Sequence, residues 1–154
     1  MVPDDEDEII AAVNALRKKF KYVFTSGGIG PTHDDITSAA IAKAFDDKLI
    51  KNKEAEQILV DYYGEGNVNE ARLKMAFVPS KASLLDNSVS SAPGFIIENV
   101  IVMAGVPKIM QAMFFAAAKN LIGGDKIISK EIKINLTESI IAKDLTDLQK
   151  EFTN

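Results

Sequence analysis

The apolar positions of the chain repeat with helical spacing near both ends. Near the amino terminus they fall four, three and four positions apart, on one face of a helix with Pro3 at its first position, and they are Ile9, Val13, Leu16 and Phe20. The same spacing predicts a helix at the carboxyl end, with an apolar face made of Ile141, Leu145, Leu148 and Phe152. Helices of this pattern bury one face and leave the other in water.

Between these helices, short β-branched and aromatic runs predict strands. The run "KYVFTS" leads into a glycine-rich loop, and the helical pattern "DDITSAAIAKAF" follows the loop. Two more strands are predicted over Gly94–Ile97 and Val100–Met103, before a helix that Pro107 opens. Strands that alternate with helices indicate an α/β layer structure with a mainly parallel sheet.

A glycine pair near the carboxyl end marks the predicted domain boundary. Gly123 and Gly124 divide the chain into an α/β domain over residues 1–122 and the start of a small α+β unit over residues 123–154. In the second unit, alternating apolar residues over 127–134 predict a strand ahead of the last helix.

Composition narrows the class of partners. The chain has 154 residues and a net charge of −4, and its lysines are spread along the sequence, so we expect no nucleic-acid partner. The absence of cysteine excludes disulfides, thiolate metal sites and a cysteine nucleophile. No apolar run approaches the roughly 20 residues that span a bilayer, and the amino terminus is acidic. We therefore expect a cytoplasmic protein with no membrane partner.

The stretch "VFTSGGIGPTHDDIT" combines a strand, a glycine-rich loop and a helix start. Glycines let a ligand approach the backbone closely, and successive amides ahead of a helix form a cradle for anions. Neither G-x-x-x-x-G-K-[ST] nor G-x-G-x-x-G is present, so the known phosphate loops do not match. Spacing alone leaves two interpretations open: a phosphate-binding loop, or a glycine turn followed by a helix that Asp34 or Asp35 caps.

Three blocks of sequence resemble a known family. The pattern T-x-G-G-x-G-P-T-x-D-D-x-T is carried by Thr25, Gly27, Gly28, Gly30, Pro31, Thr32, Asp34, Asp35 and Thr37. Downstream come "APGF" and "GVPKIMQAMF", in the expected order. Together they resemble the molybdopterin-binding (MoaB/Mog-like) domain family, and most closely its branch at the amino terminus of competence/damage-inducible (CinA-like) proteins. The departures are Ser90, Ala104 and Ile109, where the family usually has glycine, proline and glutamate.

The resemblance implies a three-layer α/β sandwich and a segment outside this sequence. Members of the family begin with a β-α-β segment that contains a G-D/E-hydrophobic-G motif, and the present sequence starts where that segment ends. We therefore expect an unpaired strand edge, covered by another copy of the chain in a homo-oligomer or by a chain that supplies the segment.

The resemblance also implies a ligand and a chemistry. Members of the family act on pyrophosphates: the CinA-like branch is associated with divalent-metal-dependent hydrolysis of ADP-ribose or FAD, and the molybdopterin branch with adenylyl transfer from ATP to molybdopterin. A nucleotide-binding or oligomerisation module without activity is the third alternative. The predicted ligand contacts are the amides of Gly27, Gly28, Gly30 and Gly105, the hydroxyls of Thr25, Thr32 and Thr37, and the turn at Pro107.

The implied catalytic and metal-binding residues are the two aspartates of the loop. Asp35, with Asp34 beside it, would hold a divalent ion or orient a water molecule. Hard carboxylate ligands favour Mg²⁺, Mn²⁺ or Co²⁺ over zinc in such a site. His33, the one histidine, is interpreted as an exposed loop residue without a catalytic role.

Overall fold

The structure, a computed structural model, describes residues 1–124 and 127–152. The chain divides into two compact units, Met1–Leu121 and Ile122–Asn154. In the first unit the elements are, in chain order, α1 (Glu6–Arg17), β1 (Val23–Ser26), α2 (Thr37–Ala44), β2 (Leu49–Lys51), α3 (Lys53–Tyr63), α4 (Glu70–Lys74), β3 (Phe77–Pro79), β4 (Ser83–Leu85), β5 (Gly94–Ile97), β6 (Val100–Met103) and α5 (Pro107–Ala118).

The second unit contains the predicted carboxyl-terminal helix, α6 (Glu138–Glu151). The predicted strand over residues 127–134 is wrong, because the structure assigns no strand within residues 127–152. A strand needs a neighbour for its backbone hydrogen bonds, and alternation alone does not supply one. The apolar face of α6 is exposed, with Leu145, Leu148 and Phe152 more than half accessible.

Helix α1 begins at Glu6 and not at Pro3 as predicted, and it buries less of its apolar face than the spacing indicates. The Asp5 side chain accepts a hydrogen bond from the Glu8 amide at 3.1 Å, and three acidic residues in the first turn complement the helix dipole. Ile9 and Val13 are buried in the core. The prediction for Leu16 and Phe20 is wrong: both are exposed, and Phe20 lies beyond the end of α1 at Arg17.

The main sheet has four strands in the order β1-β6-β5-β4. Strands β1 and β6 run parallel, with Val23 beside Val100, whereas β5 is antiparallel to both β6 and β4. A two-residue turn at Glu98 and Asn99 joins β5 to β6, and Glu98 takes the positive φ of 50° that such tight hairpins use. The predicted α/β class is confirmed, and the sheet is mixed.

Helices cover both faces of this sheet, which makes three layers. On β6, Val100 and Val102 point toward α1 and α2, where they join Val13 and Ile41 in one buried cluster. Ile101 and Met103 point to the opposite face and pack against α5. All four side chains of β6 are buried, as expected of a strand with a helix on either side.

The parallel pair determines where the loops meet. Because β1 and β6 run in the same direction, the turns that follow them both start at the carboxyl end of the strands. The Gly27 amide donates to the Met103 carbonyl at 2.9 Å, which joins the two turns at their start. Strands β2 and β3 form a separate two-stranded antiparallel sheet. In the sequence, they stand before and after the segment that contains α3 and α4.

Candidate functional site

The glycine loop after β1 has a backbone that other residues cannot adopt without strain. Gly27 and Gly28 have φ values of 100° and 71°. A Cβ atom on Gly28 would lie 2.0 Å from the Thr37 hydroxyl oxygen, so the loop closes directly on the first turn of α2. The Thr37 amide donates to the Gly28 carbonyl at 2.9 Å, which fixes this contact.

The turn after β6 packs against the same loop. A Cβ atom on Gly105 would lie 3.2 Å from the Gly27 Cα atom, so glycine at both positions allows the two backbones to touch. This contact brings the "GGIG" and "GVP" blocks together, although about 75 residues separate them in the sequence. The amides of two strand-to-helix turns therefore lie at one place.

Asp35 is held by the loop that precedes it. One of its carboxylate oxygens accepts hydrogen bonds from the Thr32 amide at 2.8 Å and the Thr32 hydroxyl at 2.5 Å. Partial burial raises the pKa of Asp35, but the hydrogen bonds from Thr32 and Gly30 and the charge of Lys74 outweigh it. The pKa therefore lies below its ordinary value of 3.8, and the carboxylate is ionised at neutral pH.

Neither aspartate caps α2, so the predicted aspartate cap is wrong. The N-cap residue is Ile36, and no side chain caps the helix. The Asp35 carboxylate is bonded to Thr32 instead, and Asp34 is exposed. A hydrogen bond with Thr32 is the main cause that lowers the pKa of Asp34 as well, so both carboxylates carry charge.

A cavity of about 360 Å³, which we call the loop cavity, lies where the blocks meet. Its polar wall contains predicted site residues from both turns, namely Gly27, Gly28, Gly30, Asp35 and Gly105. Its apolar wall comes from four different segments and includes Ile29, Met75, Pro93, Val106 and Ile109. A polar wall of amides and one carboxylate facing apolar side chains suits a ligand with a phosphate group and a flat ring system.

Asn87 shapes the wall that carries the "APGF" block. Its side chain is 3% exposed, and its amide group donates to the Ser90 hydroxyl at 2.7 Å and the Ala92 carbonyl at 2.8 Å. Its carbonyl oxygen accepts from the Val89 and Ser90 amides at 3.1 and 3.3 Å. These bonds fix the turn from β4 into β5, and this turn brings Ser90, Ala92 and Pro93 to the loop cavity.

The other predicted site residues lie elsewhere. Thr25 and Thr37 line a second cavity of about 360 Å³ between α1 and β1, which we call the edge cavity. The buried Thr25 hydroxyl has no hydrogen-bond partner within the described residues. Thr32 points to Asp35, and Pro107 is the first residue of α5. Neither of these two, nor Asp34, lines the loop cavity.

A metal ion would have few protein ligands at this site. Within residues 1–124 and 127–152, no group of three or more histidine, cysteine, aspartate or glutamate side chains could hold one. Asp35 is the one carboxylate in the wall of the loop cavity, and one of its two oxygens is bonded to Thr32. This donor set fits a hard divalent ion that takes its remaining ligands from water and from phosphate oxygens, as Mg²⁺ does.

Several residues of the site carry no recognisable signal in the sequence. Met75 and Ile109 reach the cavity from α4 and α5, and their apolar side chains resemble any core residue. Lys74 donates a hydrogen bond to the Thr32 carbonyl, 42 residues away in the sequence. Asn87 had one usable signal, since an asparagine before serines predicts a turn.

Comparison with known proteins agrees with the geometry. The family model described as a probable molybdopterin-binding domain matches residues 1–124, which include every segment that lines the loop cavity. The chain belongs to the molybdopterin-binding domain family. Its three blocks, separate in the sequence, are the segments that meet at the loop cavity.

Two relatives of this chain carry names of the CinA-like branch. It is 41% identical to a CinA-like protein of Kosmotoga olearia, covering 76% of this chain and 30% of that one. It is 32% identical to a putative competence-damage inducible protein of Clostridium beijerinckii, over the whole of this chain and 40% of that one. The chain thus spans less than half the length of these two relatives.

A solved structure shares the fold. A crystal structure of the protein CinA, with unknown function, from Thermoplasma acidophilum superposes with a TM-score of 0.72 and 36% identity, covering 77% of this chain and 73% of that one. In the part of this chain that the structure describes, no helix is long and apolar enough to cross a membrane.

Proposed function

We propose that this chain binds a nucleotide pyrophosphate in the loop cavity and hydrolyses it with the help of a divalent metal ion. The observation that carries this proposal is the contact between the Gly27 and Gly105 backbones, which brings two sets of turn amides and the Asp35 carboxylate to one cavity. Turn amides without a partner in the chain can bind phosphate oxygens, and an ionised carboxylate beside them can hold a metal ion or a water molecule.

The residues divide the task between binding and chemistry. The amides of Gly28 and Gly105 bind the phosphate oxygens, because the Gly27 amide already donates to the Met103 carbonyl and the Gly30 amide to the Asp35 carboxylate. Met75 and Ile109 pack against the base. Asp35 accepts a hydrogen bond from the attacking water and orients it. The water oxygen forms a bond to one phosphorus, the bond from that phosphorus to the bridging oxygen breaks, and the water proton passes to solvent. ADP-ribose and FAD then give two phosphate monoesters. A bound Mg²⁺, Mn²⁺ or Co²⁺, held by Asp35 with Asp34 nearby, would neutralise the charge on the bridging oxygen.

Release of AMP from ADP-ribose, FAD and ATP, with and without each metal, tests this proposal. The Asp35→Asn variant should lose at least about a hundredfold in rate, as catalytic carboxylates typically do. Asp61→Asn is the matched control, because Asp61 is exposed on α3 and lines neither the loop cavity nor the edge cavity. Equal rates for wild type and Asp35→Asn would contradict the assignment of Asp35.

Adenylyl transfer to molybdopterin is the second candidate, and the family match favours it. The same cavity would bind the phosphate of molybdopterin at the glycine amides, with the pterin ring against the apolar wall. Incubation with ATP and molybdopterin separates the two reactions, because transfer releases pyrophosphate and leaves AMP on the product. A folded wild-type chain that binds nucleotide and does neither reaction would be a binding module.

We also propose that a strand of another chain covers the open edge of β1, either from a second copy or from a different polypeptide. Strand β1 pairs with β6 on one side and with no described strand on the other. Exposed apolar side chains lie at this edge: Leu16 lines the edge cavity with Phe24 of β1, and the Phe114 ring lies 5.4 Å from the Phe24 ring, next to Phe115. Open edges with apolar flanks favour strand addition.

Light scattering on the wild type and on Phe24→Lys tests this association. A dimeric wild type and a monomeric variant would support pairing between copies. A monomeric wild type at high concentration would exclude a second copy as the partner.

The cytoplasmic location stays a prediction from composition.

A further inference from the structure

Lys74 connects α4 to the glycine loop. It is the last residue of α4, and its ammonium group donates a hydrogen bond to the Thr32 carbonyl. Lys74 also lines a third cavity of about 300 Å³, which we call the lysine cavity, together with Glu70 and Phe77. This cavity shares Gly30 and Asp35 with the loop cavity. The glycine loop therefore lies between two cavities, with Lys74 on the far side from Gly105.

Lys74 forms no ion pair with any side chain that the structure describes. The four ion pairs within the described residues involve Arg17, Lys43, Lys51 and Lys150. Arg72, the other cation of α4, packs over the Tyr63 ring at 4.0 Å and donates to the Asn67 carbonyl. The Lys74 ammonium instead donates its hydrogen bond to the neutral Thr32 carbonyl, although the carboxylates of Glu70, Asp34 and Asp35 are close by.

A pyrophosphate ligand brings more negative charge to the loop than a monophosphate does. Asp34 and Asp35 are ionised, so the second phosphate group is favoured on the side where Lys74 supplies a positive charge. The hydrogen bond from an ammonium to a phosphate oxygen is about twice as strong as a bond between neutral groups. A phosphate on the lysine side of the loop can therefore compete with the Thr32 carbonyl for the Lys74 ammonium.

We propose that Lys74 is a ligand-binding residue whose ammonium moves from the Thr32 carbonyl to the second phosphate of a bound pyrophosphate. The inference rests on the proposed function, because it concerns the ligand of the same loop. It assigns the first phosphate to the glycine amides and the second to Lys74. Lys74 then distinguishes pyrophosphates from monophosphates.

Calorimetric titration with methylenediphosphonate and with methylphosphonate tests this assignment without hydrolysis. Wild type, Lys74→Gln, Lys74→Arg and Lys119→Gln are compared in Mg²⁺ buffer. Lys119 is an exposed residue at the end of α5, in no ion pair of the described chain, and serves as the matched control. We expect Lys74→Gln to weaken diphosphonate binding about tenfold or more and to change methylphosphonate binding less than about twofold. Lys74→Arg should recover most of the loss.

The outcomes separate this inference from the proposed function. Wild-type binding that survives Lys74→Gln unchanged would overturn the role of Lys74 and leave the loop site standing. Equal weakening for both probes would also overturn it, because Lys74 would then support only the shape of the loop. A wild type that binds neither probe would overturn both proposals. Thermal unfolding of each variant confirms that a loss of binding is not a loss of fold.

Discussion

The two sides of the glycine loop differ in how completely their groups are partnered. On the side of the loop cavity, Asp35 and Asn87 have hydrogen-bond partners at 2.5 to 3.3 Å, and the backbones of Gly27 and Gly105 are in contact. On the side of the edge cavity, the Thr25 hydroxyl has no partner within the described residues, and Phe24 is 39% exposed. Polar groups that are fixed before a ligand arrives lower the free-energy cost of binding it. The first side has the features of a preformed site, and the second those of a surface that another strand covers.

The largest expected effect comes from adding a methyl group at Gly28, where the loop closes on α2. Gly28→Ala should destabilise the first unit by about 3 kcal/mol and abolish ligand binding. The added methyl group meets the Thr37 hydroxyl and requires a positive φ. Urea unfolding measures the difference in free energy of unfolding.

Gly66→Ala is the matched control for this variant. Gly66 also has a positive φ, of 84°, but a Cβ atom there meets nothing within 4 Å. Only the strain of the backbone remains, so we expect a loss of about 1 kcal/mol. Equal losses for both variants would show that the contact with Thr37 contributes nothing.

A smaller effect is expected from the hydrogen bonds of Asp35. Thr32→Val removes the hydroxyl that donates at 2.5 Å and keeps the side-chain shape. Because this bond is exposed, we expect a loss of about 0.5–1 kcal/mol in the free energy of unfolding. A metal-dependent rate that falls at least tenfold would show that Thr32 positions Asp35, whereas an unchanged rate would show that the bond is dispensable.

The charge of Asp35 predicts how this stabilisation depends on pH. The pKa of Asp35 is lowered in the folded chain, so its contribution is fully present above the ordinary value of 3.8 and is lost as the pH falls through the folded value. The difference in stability between wild type and Asp35→Asn should therefore be constant near neutral pH and shrink below pH 3.8. A difference that grows on acidification would have the wrong sign.

The smallest effect is expected on the other side of the loop. Thr25→Val replaces a buried hydroxyl without a described partner by a methyl group. The change should be neutral or stabilise the isolated chain by up to about 1 kcal/mol, because no hydrogen bond is lost. A loss comparable with that of Thr32→Val would show that the Thr25 hydroxyl has a partner in solution, and that the contrast between the two sides is wrong.

Local sequence signals predicted most of the fold. Strands β5 and β6 have the bounds that their β-branched residues indicate, and Pro107 opens α5 as expected. The meeting of the two turns follows from one fact, the parallel pairing of β1 with β6. The exposure of Leu16 and Phe20 could not be predicted, because helical spacing identifies an apolar face without showing what covers it.

The candidate site was predictable only where a motif carries it. The glycines and Asp35 are visible as a block, whereas Lys74 and Met75 reach the loop from a short helix whose place depends on tertiary packing. The predicted aspartate cap on α2 is absent because the Asp35 carboxylate accepts a hydrogen bond from the hydroxyl of Thr32, three residues earlier. Local side-chain bonds of this kind compete with capping, and spacing does not decide between them.

The most direct test of the central claim is a titration of the folded chain with ADP-ribose and Mg²⁺, followed by the amide signals in two-dimensional NMR spectra. If one cavity built from two turns binds the pyrophosphate, the amides of Gly27, Gly28, Gly30 and Gly105 will shift together with a single dissociation constant. Shifts confined to one of the two turns, or to β1 and α1 around the edge cavity, would contradict the account.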